Sequence, residues 1–148
     1  MSTTINRPTP AYVFLAWFML GAGILGYVIS LFNADSMQLN EKGLYLALLI
    51  LGLFAAISLQ KTVRDKAEGL PTTGIYFGHS WGVTVASVVF LCVSLWNAYL
   101  LELSEKGIYL MAFLLAMFGA ITVQKNVRDL ANAPRTEPEH DSFGDEAR

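Results

Sequence analysis

The chain has 148 residues, room for one domain or for two small units packed together, and 54% of it is apolar with only 15% charged, against about a quarter charged in ordinary soluble domains. A net charge of −2 gives no sign of a nucleic-acid partner, and its distribution matters more than its sum. One cysteine, Cys92, excludes an intrachain disulfide and any cysteine-based zinc site, and its apolar surroundings mark it as a packing residue.

In chain order, residues 1–10 form a short polar segment carrying Pro8 and Pro10. Four uncharged stretches follow: Ala11–Phe32, Gly43–Leu59, Gly82–Leu101 (entered through His79, Ser80 and Trp81) and Gly107–Val123. A helix rises about 1.5 Å per residue and the hydrocarbon layer is about 30 Å thick, so about 20 residues make a crossing. The second and fourth stretches are shorter, and Lys42, Lys61, Lys106 and Lys125 at their ends extend them by snorkelling. None shows the polar face of a soluble-bundle helix. The first is longer than a signal-peptide core and has no small-residue cleavage site after it, so it is expected to be retained.

The second half of the sequence repeats the first at an offset of 64. Over Tyr12–Asp65 against Tyr76–Asp129, 22 of 54 positions are identical without gaps. The identities include polar positions that hydrophobicity alone would not align: Asn33 with Asn97, Glu41-Lys42 with Glu105-Lys106, and Gln60-Lys61 and Arg64-Asp65 with Gln124-Lys125 and Arg128-Asp129. Each copy holds two crossings, so both enter the membrane in the same direction and the repeat is parallel. The expected fold is therefore all-α, a polytopic membrane protein with four transmembrane helices as a parallel tandem repeat of two hairpins. Its parts are a cytoplasmic segment 1–10, a first repeat 11–65, a cytoplasmic linker 66–75, a second repeat 76–129 and a disordered acidic tail 130–148.

Lysine and arginine placement sets the orientation. Arg7, Lys61, Arg64, Lys66, Lys125, Arg128, Arg135 and Arg148 fall on one side, and only Lys42 and Lys106 on the other. The termini and the linker are thus expected in the cytoplasm, with the loops 33–42 and 97–106 facing outward.

The duplicated EKGxYLxxxL…F…QKxVRD pattern resembles the YiaA/YiaB family of bacterial inner membrane proteins, whose unit is a two-helix domain. The resemblance covers about Tyr12 to Asp129 and implies an inner membrane location. It implies no reaction.

Each motif also has a direct physical reading. Asn40 and Ser104 are candidate N-caps, Glu41 and Glu105 suit the positive end of a helix, Lys42 and Lys106 reach head groups, and Tyr45 and Tyr109 suit an interfacial aromatic belt. At the other end, Gln60, Lys61, Arg64, Gln124, Lys125 and Arg128 complement helix C-termini and anionic lipid. Asp65 and Asp129 are placed to pair with the arginine of the opposite copy, Arg128 with Asp65 and Arg64 with Asp129. Asn33 and Asn97 end the first helix of each copy, as left-handed caps or as polar lining of an outward vestibule. Ala22, Gly26 and Ser30, Gly52 and Ala56, and Ala116 and Ala120 form small-residue stripes for close packing.

No catalytic residue, cofactor or metal ligand is expected, because the spans hold no ionisable side chain except Cys92 and the tyrosines. The favoured reading is a non-catalytic membrane protein with a scaffolding or envelope and stress-related role; the alternative is a small oligomeric channel or facilitator for a small solute. The expected partners are the lipid bilayer and a second copy or another membrane protein, with no nucleic acid.

Overall fold

A computed structural model describes residues 7–133. It contains four helices: α1 (Pro10–Asn33), α2 (Leu39–Ala67), α3 (Gly74–Asn97) and α4 (Leu103–Asn132). All four are long and apolar enough to cross a membrane, and large side chains such as Phe14, Phe32, Phe54, Ile75 and Trp96 stand exposed around the bundle. That surface is suited to lipid, and the chain is a multi-pass membrane protein. Cys92, expected inside the packing, is exposed on it. The sequence placed the third span over Gly82–Leu101; the helix begins at Gly74, because Thr73 caps it, and it ends at Asn97. The acidic tail, with its expectation of disorder, lies outside the described residues except for its first four, of which Leu130–Asn132 continue α4.

The two repeats use the same local devices. Thr9 and Thr73 are the N-caps of α1 and α3, each accepting from the amide of the third residue on, Tyr12 and Tyr76, at 3.4 Å. The caps of α2 and α4 are Gln38 and Glu102, not Asn40 and Ser104. There Glu41 and Glu105 reach back to accept from the backbone N–H of Gln38 and Glu102 at 2.8 Å, closing a capping box. The box starts each helix two residues earlier than the Asn and Ser positions imply.

The hairpin loops are also copies. Ala34 (φ −76°, ψ 85°) and Ala98 (φ −78°, ψ 78°) each sit at the centre of an inverse γ-turn, closed by Asp35 N–H to Asn33 O and Tyr99 N–H to Asn97 O. Asn33 and Asn97 are therefore not left-handed caps; among the described residues only Gly69 has positive φ, at 73°. Gly69 ends α2 in a Schellman motif, with Leu70 N–H to Asp65 O and Gly69 N–H to Lys66 O.

The hairpins do not pack as hairpins. α1 lies mainly along α4 and α3 mainly along α2, while α2 and α4 meet in the centre; within a hairpin the two helices barely touch. Each V-shaped hairpin thus clasps the second helix of the other. Small residues permit this. A Cβ on Gly23 would collide with the backbone of Ala116, one on Gly119 with the backbone of Leu20, and one on Gly52 with the ring of Phe113. Because lipid supplies no hydrophobic drive between helices, this backbone approach and the packing around it hold the bundle together. The contact face of α1 is centred on Gly23, with Gly26 at its edge against Ala112, and so is rotated from the Ala22–Gly26–Ser30 stripe.

The buried positions follow the 64-residue offset. Tyr27 and Leu91, Leu31 and Leu95, Tyr45 and Tyr109, Leu49 and Phe113, Ala56 and Ala120, and Thr62 and Asn126 are all buried pairs. The bundle therefore has an approximate twofold axis running between α2 and α4.

Candidate functional site

Two related clefts open at the end of the bundle that carries the hairpin loops. The larger, about 420 Å³, is lined by Glu41, Leu44 and Tyr45 of α2 and by Val93, Ser94 and Asn97 of α3, with the loop residues Ala98–Leu101 and Ser36 and Met37. The smaller, about 210 Å³, is lined by Glu105, Ile108 and Tyr109 of α4, Ile29, Ser30 and Asn33 of α1, and Ala34. Every residue of the smaller cleft has its counterpart, 64 positions away, in the larger. Glu, Tyr, Ser, Asn and Ala are identical, and the remaining two pairs are Ile29 with Val93 and Ile108 with Leu44.

Exchange of helices between the hairpins builds these clefts. Glu41 and Tyr45 face Ser94 and Asn97 of the other repeat, not Ser30 and Asn33 of their own. Asn33 and Asn97 are exposed at the rim, and the Asn97 Nδ2 donates to Val93 O at 2.9 Å. Lys42 lines neither cleft; its Nζ donates to Phe32 O at 3.3 Å and so satisfies an end carbonyl of α1. Lys106 lines neither cleft.

Tyr45 and Tyr109 are 3% and 1% exposed, so they belong to the core and not to a lipid-facing belt. The cause is Tyr27, whose ring packs edge-on to Tyr109 at 5.3 Å between centroids, while the Tyr45 and Tyr109 rings lie 5.5 Å apart. The Tyr27 hydroxyl donates to Tyr45 O at 2.9 Å across the first hairpin. The hydroxyls of Tyr45 and Tyr109 are buried without a partner among the described residues. Sequence reasoning passed over Tyr27, whose counterpart is Leu91; nothing in the repeat marked it. That reasoning places Ser30 in a packing stripe and gives Ser94 no role, although their identity across the repeat is visible.

At the opposite end, the motif Arg-Asp pairs meet asymmetrically. Arg128 of α4 reaches α2, pairing with Glu68 and, at 3.9 Å, with Asp65. Arg64 stays within its own helix, with Asp65 at 3.2 Å and Glu68 at 3.9 Å, and Asp129 pairs with Lys125 at 3.1 Å. The expected reciprocal clasp is thus formed on one side only. Glu68, at the C-cap of α2, draws both arginines, and the α4 position equivalent to it is Asn132. Lys61 and Lys125 are exposed, and the Gln60 and Gln124 side-chain carbonyls are buried without a partner among the described residues. Beneath this charged cluster Thr62 lies 3.3 Å from Ser80 of α3, whereas the equivalent Asn126 is buried with neither side-chain polar atom partnered among the described residues.

The sequence is similar to those of known proteins. Over 137 residues the chain is 53% identical to the inner membrane protein YiaA of Escherichia coli K12, spanning 93% of each chain. Over 63 residues it is 48% identical to an uncharacterized membrane protein, YubF, of Bacillus subtilis 168; that match spans 43% of this chain and 72% of YubF. No solved structure matches. The yiaA/B two helix domain matches twice, over residues 12–65 and 76–129. The chain therefore belongs to the YiaA/B two-helix domain family and carries two copies of the domain.

Proposed function

We propose that this chain is a non-catalytic protein of the bacterial inner membrane that scaffolds other envelope proteins, with its termini and the α2–α3 connector in the cytoplasm. The observation that carries the reading is a filled interior. Tyr27, Leu91, Phe113 and Tyr109 close the centre of the bundle, and α1 and α4 meet backbone to backbone. A solute path does not run through a centre closed by these buried side chains. The connector-end arginines support the same reading, since Arg64 and Arg128 are engaged in ion pairs. An oligomeric facilitator would have to carry its solute between copies.

Affinity capture of the full chain from native membranes is the test. One stoichiometric membrane partner supports scaffolding; solute flux through the purified protein in liposomes, with no partner captured, supports the facilitator instead. Orientation rests on the eight-to-two bias in Lys and Arg. In a Cys92→Ser background, cysteine at Asn40 or Ser104 should react with an impermeant thiol reagent outside intact cells. Cysteine at Glu68 should not, and reaction there would invert the orientation.

A further inference from the structure

We propose that each loop-end cleft binds a primary ammonium group carried on an apolar body. This goes beyond scaffolding and does not depend on which membrane face the clefts occupy. Among the described residues the one charged side chain lining each cleft is a carboxylate, Glu41 or Glu105. One carboxylate oxygen is committed to the capping box. A carboxylate accepts about four hydrogen bonds, so capacity remains for a ligand.

The neighbouring polar groups also present acceptors. With one Nδ2 hydrogen donated to Val93 O, Asn97 still has its Oδ1 to accept. Ser94 and Ser30 line the larger and the smaller cleft and bring a hydroxyl oxygen to each. A carboxylate, an amide oxygen and a hydroxyl together match the three donors of an ammonium, and the aliphatic walls match an apolar body. A quaternary ammonium has no donors to give.

The two copies reinforce the reading. Only 22 of 54 positions are identical between the repeats, yet five of the seven positions that line the smaller cleft are. Two sources offer this chemistry at a membrane surface: an ethanolamine lipid head group and a free alkylamine.

The test uses the full chain in neutral detergent, with tryptophan fluorescence following thermal unfolding. The n-octylammonium ion should raise the melting temperature, and n-octyltrimethylammonium should not. In parallel, native mass spectrometry of protein taken from mixed-lipid nanodiscs should show retention of phosphatidylethanolamine over phosphatidylcholine. Preference in the first arm alone identifies a free amine; preference in the second identifies a lipid head group. The double variant Glu41→Gln with Glu105→Gln keeps the capping boxes, because Gln serves in them. It should weaken binding by about tenfold or more, as expected for losing a charged hydrogen bond. Ser30→Ala with Ser94→Ala should also weaken it, whereas Tyr45→Phe with Tyr109→Phe should not, because those hydroxyls are closed off from the clefts. The proposal is overturned if neither arm prefers the primary ammonium, if the preference survives in Glu41→Gln with Glu105→Gln, or if phosphatidylglycerol is the lipid retained.

Discussion

Gly23 of α1 and Ala116 of α4 lie so close that a single methyl group on Gly23 would overlap the Ala116 backbone. The same crossing repeats one turn away, where Gly119 faces the backbone of Leu20. Here two helices from different repeats touch through their main chains, and no side chain stands between them to yield.

Gly23→Ala and Gly119→Ala are therefore expected to destabilise the protein by about 1–3 kcal/mol each, the usual cost of overpacking. Gly21→Ala is the control, because a Cβ there meets nothing within 4 Å. Thermal unfolding in detergent should fall for the first two and stay level for the third. Equal behaviour of all three would mean that the crossing is looser than described.

The exchange of helices can be locked covalently. A Cβ built on Gly26 lies 3.9 Å from the Cβ of Ala112, inside the separation that a disulfide needs. In a Cys92→Ser background, Gly26→Cys with Ala112→Cys should oxidise readily. Cleavage at a protease site engineered into the connector between Glu68 and Thr73 should then leave the halves joined until reductant is added. Halves that separate without reductant would show that α1 does not pack on α4.

Much of this architecture was legible in the sequence. Four spans, their pairing into repeats and the parallel sense follow from uncharged runs and one offset. Which helix packs on which did not follow, because a repeat specifies equivalence and not partners: hairpin packing and exchanged packing share one sequence pattern. The caps were missed for a related reason. Asn40 and Ser104 have good capping side chains, yet the Glu41 and Glu105 carboxylates reach the amides two residues further back. Asn33, Asn97, Glu41 and Glu105 were all recognisable as polar groups at one end. Only the exchange brings Glu41 to Asn97 and Glu105 to Asn33.

The connector-end charges should not be equivalent. Arg128 joins α4 to α2 through Glu68 and Asp65, whereas Arg64 pairs within α2. Arg128→Ala should lower thermal stability more than Arg64→Ala. Both effects should be under about 1 kcal/mol and should shrink in high salt, because these side chains are partly solvated. A larger loss from Arg64→Ala would place the interhelical contact on the other arginine.

Asn126 offers a sharper test, because the repeat contains its own control. At the equivalent place on the other side of the axis, Thr62 reaches the Ser58 carbonyl and lies 3.3 Å from the Ser80 hydroxyl. Ala16 takes the place of Ser80 on the Asn126 side, and both Ala16 and Asn126 are 1% exposed. A buried amide with no partner costs about 1–3 kcal/mol. Ala16→Ser copies the polar partner from the intact side and should raise stability by about 1 kcal/mol. Asn126→Leu, which removes the orphaned atoms, should also stabilise. The two gains should not add, since each relieves the same defect. Ser80→Ala should cost little, because Thr62 keeps the Ser58 carbonyl. If Ala16→Ser lowers the melting temperature while Asn126→Leu raises it, the space beside Asn126 does not admit a hydroxyl. If both lower it, Asn126 is satisfied in the native membrane, and its amide is holding something that the helices themselves do not provide.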